Sequence, residues 1–185
     1  MSWKIDPAHA QITFSARHMM IMNVRGHFEK FSGEVYFDEQ NPALSTVEVQ
    51  IEAASLNTNE PQRDSHLKSP DFLDVENYPF ILFQCKRVEA GDDRHGRIIG
   101  DLTIRDVTRE VVLETEYLGK SQSPWGMTSA GFSAHTRFNR KDWGLTWNVA
   151  LETGGVLVGD EINIHIELEI IKQAEAEPEL EAEMA

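Results

Sequence analysis

From Ile162 to Ile170 every second residue is apolar: Ile162, Ile164, Ile166, Leu168 and Ile170 alternate with Asn163, His165, Glu167 and Glu169. A helix cannot use that spacing, because its side chains return to one face every 3.6 residues, whereas a strand sends successive side chains to opposite faces. The same rule holds from Thr46 to Glu52, where Val47, Val49 and Ile51 share a face. Looser versions cover residues 10–18, 25–38, 78–89, 97–105, 109–118 and 126–138, so eight strands are expected in all.

The connections are short and rich in turn formers, as in Glu89-Ala90-Gly91-Asp92-Asp93 and Gly119-Lys120-Ser121-Gln122-Ser123-Pro124. Arg105-Asp106-Val107-Thr108 reads as a tight reversal. Such links make hairpins, so consecutive strands are expected to lie antiparallel. One stretch departs from this pattern. Asn57-Thr58-Asn59-Glu60-Pro61 has the composition of a helix start, and Ser69-Pro70 ends the segment it opens. The expected fold class is therefore all-β: an extended eight-stranded antiparallel up-and-down β-barrel, lipocalin-like, with a short helical excursion near residues 60–74. A sandwich is the competing arrangement, but only closure removes the exposed sheet edges. In the strand at 78–88 both faces are apolar at one end, and the helical excursion, with Leu67, Phe72 and Leu73, is expected to cover the second face or cap a barrel end.

Charge separates the barrel from the C-terminal residues. There are 17 Lys and Arg against 31 Asp and Glu, a net charge of −14, and five of the glutamates fall in the last thirteen residues with no base among them. The chain thus divides into a barrel domain over residues 1–172 and an acidic tail over 173–185, which is expected to be disordered because it has little to bury. Nucleic acid is excluded as a partner by the want of a basic stripe. Stable membrane insertion is not expected, since the longest apolar runs, Met19 to Met22 and Phe80 to Phe83, fall far short of a span. Any collision with an acidic lipid surface would be transient, or helped by the basic residues Arg17, Arg25 and Lys30. No secretory h-region precedes Trp3, and the single cysteine, Cys85, suits a reducing compartment, so a cytoplasmic location is expected.

Clusters with chemical potential are few. The seven histidines show no zinc-helix spacing and Cys85 has no partner, so no metal is expected. Arg63-Asp64-Ser65-His66 places a base, an acid and an imidazole within one turn. These residues either tie the helical segment to the barrel or serve acid–base chemistry, and no nucleophile motif accompanies them. Gly154-Gly155-Val156-Leu157-Val158-Gly159 lacks the phosphate-loop ending and reads as a glycine-rich hairpin. Aromatic rings occur on or beside almost every strand, joined by Met19, Met20, Met22 and Met127. As core alone these rings would be unremarkable, and that reading stands beside a second one for the same residues. Lining a long barrel, they would form a narrow apolar tunnel that suits an extended hydrocarbon better than a compact metabolite.

Several motifs resemble the YceI-like, polyisoprenoid-binding family. They are Trp3-x-Ile5-Asp6-x-x-His9, Arg17-His18, Val24-x-Gly26-x-Phe28-x-x-Phe31-x-Gly33, Thr58 with Arg63-Asp64-x-His66-Leu67-x-Ser69-x-Asp71-Phe72, Tyr78-Pro79-x-Ile81-x-Phe83, Gly100-Asp101-Leu102-Thr103-Ile104, Asn139-Arg140-Lys141-Asp142-Trp143-Gly144, and Val158-Gly159-Asp160-x-Ile162-x-Ile164. Together they cover residues 3–170. The resemblance implies an extended barrel holding an isoprenoid chain, such as a polyprenyl phosphate or a ubiquinone-type tail. Asp106 stands where that family usually has glycine, and many of its members are periplasmic.

The expected function is binding of an amphiphilic isoprenoid lipid or quinone for transport, storage or sequestration, without catalysis and with no cofactor beyond the lipid itself. Expected ligand-binding residues are Phe14, Phe28, Phe31, Phe80, Phe83, Phe132 and Trp143 along the tunnel, with Arg17, His18, Arg63 and His66 at the headgroup. Two rivals stand beside this: an enzyme using Asp64 and His66 for proton transfer, and a stress-linked interaction module recruited through the acidic tail. A homodimer covering one edge or mouth is left open.

Overall fold

In a computed structural model, residues 2–173 are described, and they form a single closed sheet. Ten strands follow in chain order: β1 Ser2–His18, β2 Met22–Phe28, β3 Phe31–Tyr36, β4 Thr46–Glu52, β5 Leu56–Asn57, β6 Phe80–Ala90, β7 His95–Ile104, β8 Val107–Gln122, β9 Thr128–Asn139 and β10 Val158–Lys172. Neighbours run β10-β9-β8-β7-β6-β4-β3-β1, and β1 pairs again with β10, which closes the ring. Every pairing is antiparallel. This is the expected eight-position barrel, with β2 and β3 sharing one position. The acidic tail lies outside the described residues.

The predicted strand at 25–38 is two strands because its neighbours change. β1 pairs with β3 at its start, Ser2↔Tyr36 to Lys4↔Glu34, and with β2 at its end, Ile12↔Phe28 to His18↔Met22. Between them Ser55 takes over the ladder: its carbonyl accepts from Glu29 N–H and its hydroxyl from Lys30 N–H, both within 3.1 Å. β1 itself begins at residue 2, eight residues earlier than its alternation suggests, and crosses Pro7 through a bulge between Ile5 and Ala10. The Asp6 carboxylate accepts the Ala8 N–H inside that bulge at 3.0 Å. At the β7–β8 reversal the left-handed residue is Arg105, with φ 57°.

The single helix, α1, spans Pro61–Lys68. Its first turn is capped by Glu60, whose carboxylate accepts from the backbone N–H of Gln62 and Arg63, and Pro61 sits where no intrahelical donor is needed. Leu67 and Leu73 turn into the barrel end and pack on the core around Ile51, Ile81 and Phe83, while Phe72, also buried, packs on His66 and Trp147. They do not cover the outer face of β6. Phe80 and Leu82 lie there 40% and 43% exposed, while Ile81 and Phe83 point inward. A smaller core at the opposite end gathers Trp3, Ala130 and Ile170.

Candidate functional site

The inward side chains do not fill the barrel. A cavity of about 830 Å³ runs through it, lined largely by apolar groups. That is large enough for a sizeable organic ligand. At one end it reaches α1 and the β1–β2 hairpin, through Arg17, His18, Val24, Arg63 and His66; at the other it reaches the β6–β7 turn, through Asp92, Arg94 and His95. Phe14, Phe28, Phe31, Phe83 and Phe132 stand on its wall. Phe14 and Phe28 pack with centroids 5.4 Å apart. Gly26 makes room for that pair, because a Cβ there would collide with the Phe14 ring.

Two expected lining residues sit elsewhere. Phe80 points outward, since the register that buries Ile81 and Phe83 sends it to solvent. Trp143 is only 3% exposed, but it is core: its indole N–H donates to the Leu102 carbonyl at 2.9 Å and its ring packs on Phe138 at 4.6 Å. Both are corrected by parity and depth, which residue type alone does not encode.

The polar groups near α1 divide into those already engaged and one that is set apart. Arg63 Nε donates to Thr58 Oγ1 at 2.8 Å and its Nη2 to the Thr58 carbonyl at 2.7 Å. Asp64 accepts from the Thr58 backbone and hydroxyl. This is the tie between helix and barrel. His66 is hydrogen-bonded to Asp71 at 2.9 Å and wedged edge-on against Trp147 at 4.4 Å and Phe72 at 5.1 Å. Asp64 and His66 are therefore committed to different partners and do not form an acid–base pair with each other. Arg17 is exposed at the mouth and His18 is half-buried.

The residue that sequence reasoning left unassigned is Arg140. Of the buried polar residues Thr58, Asp74 and Arg140, it alone borders the cavity, and it is 1% exposed. Its donors meet neutral carbonyls: Gly159 at 3.0 Å, Leu145 at 2.6 Å and Val158 at 3.4 Å. The Phe72 ring lies 5.8 Å from the guanidinium carbon. The closest carboxylate, Asp160, is 3.8 Å away and is shared with Lys141 at 3.3 Å. Burial lowers the Arg140 pKa, and Asp160 only partly opposes this. A buried cation bound chiefly by carbonyl dipoles is electrostatically open to an anion or a strong acceptor arriving in the cavity. The signal for it was present in Asn139-Arg140-Lys141-Asp142-Trp143, a charged run set between Phe138 and Trp143.

Away from the cavity, Asp6, His9 and Glu169 bring ligand-type atoms within 4.8 Å of one another on the β1 bulge. His9 Nδ1 is already bonded to Asp6 at 2.7 Å. Among the described residues, no helix is long and apolar enough to cross a membrane.

Comparison with known proteins places this geometry in context. The YceI-like domain model matches residues 3–170. Protein YceI of Escherichia coli is 37% identical over 174 residues, covering 92% of this chain and 87% of that protein. Among solved structures, the Campylobacter jejuni YceI protein superposes with a TM-score of 0.73 at 32% identity, covering 85% of this chain and 90% of the other. A polyisoprenoid-binding domain from Saccharophagus degradans, implicated in plant cell wall breakdown, has the same fold, with a TM-score of 0.67 at 10% identity over 92% of this chain and 98% of that one.

Proposed function

The chain belongs to the YceI-like family, and from that premise we propose that it binds an amphiphilic isoprenoid lipid, of the polyprenyl phosphate or isoprenoid quinone type, for carriage or storage. The observation that carries this is the shape and chemistry of the cavity: about 830 Å³, apolar along its length, with one buried cation at the α1 end. Burying an extended hydrocarbon there would release roughly 25 cal/mol for each Å² of apolar surface removed from water, less the cost of ordering the chain. Arg140 would meet the headgroup, with Arg17 and His18 at the adjoining mouth. The Saccharophagus degradans domain supports the reading as a precedent of the same fold for an isoprenoid occupant.

Native mass spectrometry of the gently purified protein tests it. A bound mass that dissociates as a lipid and reappears in an organic extract is the expected result. The reading is overturned if the extract contains no isoprenoid and added polyprenyl phosphate and quinone both fail to bind. An Arg140→Met variant should lose affinity for the phosphate more than for the quinone, because only the former brings a full charge to the guanidinium.

A further inference from the structure

Met19, Met20 and Ile21 form the turn between β1 and β2 and Met22 opens β2, and all four are exposed, at 45%, 55%, 80% and 66%. Four consecutive large apolar side chains in water are unusual for a reversal that could be built from Asn and Gly. The backbone makes the choice more costly, since Met19 and Met20 hold φ of 50° and 66°, the left-handed region that unbranched non-glycine residues also avoid. The turn is nevertheless held in place: Met19 N–H donates to the Leu157 carbonyl at 2.8 Å, and Leu157 N–H donates to the Val149 carbonyl at 2.9 Å. Val149 is itself 47% exposed, so a second loop extends the apolar tip.

The two faces of the hairpin below that tip differ. Ala16 and Val24 are register partners and border the cavity. Arg17 and Arg25 occupy the alternate positions and are exposed, Arg17 at the rim where it also reaches the cavity mouth, and the row through Arg25, Ser15 and Asn163 ends on Arg137 of β9. The acidic side chains of this end, among them Glu60, Asp64, Asp71, Glu152, Asp160 and Glu161, lie on other segments; Glu60 caps α1, Asp64 accepts from Thr58, Asp71 is bonded to His66 and Asp160 faces Arg140 and Lys141.

We propose that the β1–β2 hairpin is a membrane-docking arm, with Met19 to Met22 entering the interfacial zone of an anionic bilayer while Arg17, Arg25 and Arg137 meet its headgroups. Apolar insertion and headgroup attraction together suit a reversible contact, and the overall acidity of the chain keeps it short-lived. The contact would set the cavity mouth at the membrane surface, and that consequence rests on the isoprenoid-binding reading. The β8–β9 turn, with Trp125 85% and Met127 50% exposed, lies at the other end of the barrel and away from the cavity wall, so it serves as an internal comparison.

The test is flotation of the full chain with vesicles of phosphatidylcholine alone and of phosphatidylcholine with phosphatidylglycerol. The protein is expected to float with the anionic vesicles at low salt, and Ile21→Asp with Met22→Asp to lower the recovered fraction about tenfold or more, with an unchanged thermal transition. Trp125→Ser is expected to float like the parent. In an Ile21→Trp variant, indole emission should shift to the blue on adding vesicles and be quenched by brominated acyl chains, which reports insertion without a disruptive charge. Docking is overturned if the parent floats with neither vesicle, if the double variant floats undiminished, if the loss accompanies Trp125→Ser instead, or if the indole at 21 is not quenched. Lipid content is measured separately: vesicle binding by a protein that holds no isoprenoid and takes up neither added polyprenyl phosphate nor quinone sustains the arm and overturns the isoprenoid reading, and the converse overturns the arm alone.

Discussion

His9 and Asp6 hold each other across the bulge in β1, and each alters the other's titration. The hydrogen bond to Asp6 raises the His9 pKa above its ordinary 6.5, and the same bond lowers Asp6 below 3.8. Asp6 therefore contributes stability above its unfolded pKa and loses it as pH falls. His9 contributes fully below its unfolded pKa and loses it as pH rises through the elevated folded value. The pair acts between those limits, and Asp6→Asn should move the His9 imidazole titration back toward 6.5, read from its ring C–H resonances by NMR. Arg140 makes a larger contribution. Arg140→Met removes the guanidinium donor from the carbonyls of Gly159 and Leu145, while Val158 keeps Asn148 Nδ2 at 2.7 Å, and should cost about 2–4 kcal/mol in urea unfolding. Cys85, whose thiol pKa burial raises, should react sluggishly with a disulfide reagent at neutral pH and quickly once unfolded. At this scale the sequence was legible only in part. Phe14, Phe28 and Phe83 reach the cavity wall, whereas Phe80 was misplaced because Tyr78, Phe80 and Leu82 are as apolar as Ile81, Phe83 and Cys85, so the pattern does not say which face is inside.

Elements were easier to read than residues, and where they were missed the cause is tertiary. β10 and β4 alternate strictly and form where expected, although β10 begins at Val158 rather than Ile162. The split between β2 and β3 has no marker in residues 25–38, since it comes from Ser55 supplying acceptors from a distant turn. The opening residues of β1 were overlooked because Pro7 interrupts the alternation, and the bulge that absorbs it is recognisable only once β10 is alongside. The β6–β7 pair contains a different kind of constraint. A Cβ on Gly100 would stand 2.5 Å from the Gln84 carbonyl oxygen and 2.6 Å from the Phe83 ring. The carbonyl is ladder backbone and cannot step aside, so Gly100→Ala should destabilise by about 1–3 kcal/mol, measured as a lower urea midpoint.

For the molecule as a whole, closure and hollowness go together. A sheet of eight positions has an interior that side chains can just fill or leave open for one slim ligand, and here the inward residues leave it open. Barrel and alternation were legible because period two repeats over so many strands; the volume of the void was not, because it depends on how rings from distant strands meet. Thr136, half-buried on the cavity wall, gives a direct test: Thr136→Phe should abolish the lipid mass in native spectra while the thermal transition stays near that of the parent. The seam between β1 and β10 also has a kinetic meaning. Trp3 meets Lys172 and Gln173 N–H donates to the Ser2 carbonyl, so the ring is locked by segments from opposite extremes of the described chain. During synthesis the first strand must wait, its apolar face uncovered, until the final one emerges from the ribosome. Until then the apolar face of that strand is open to self-association, and the full burial of Trp3 at the seam belongs to the closed ring alone.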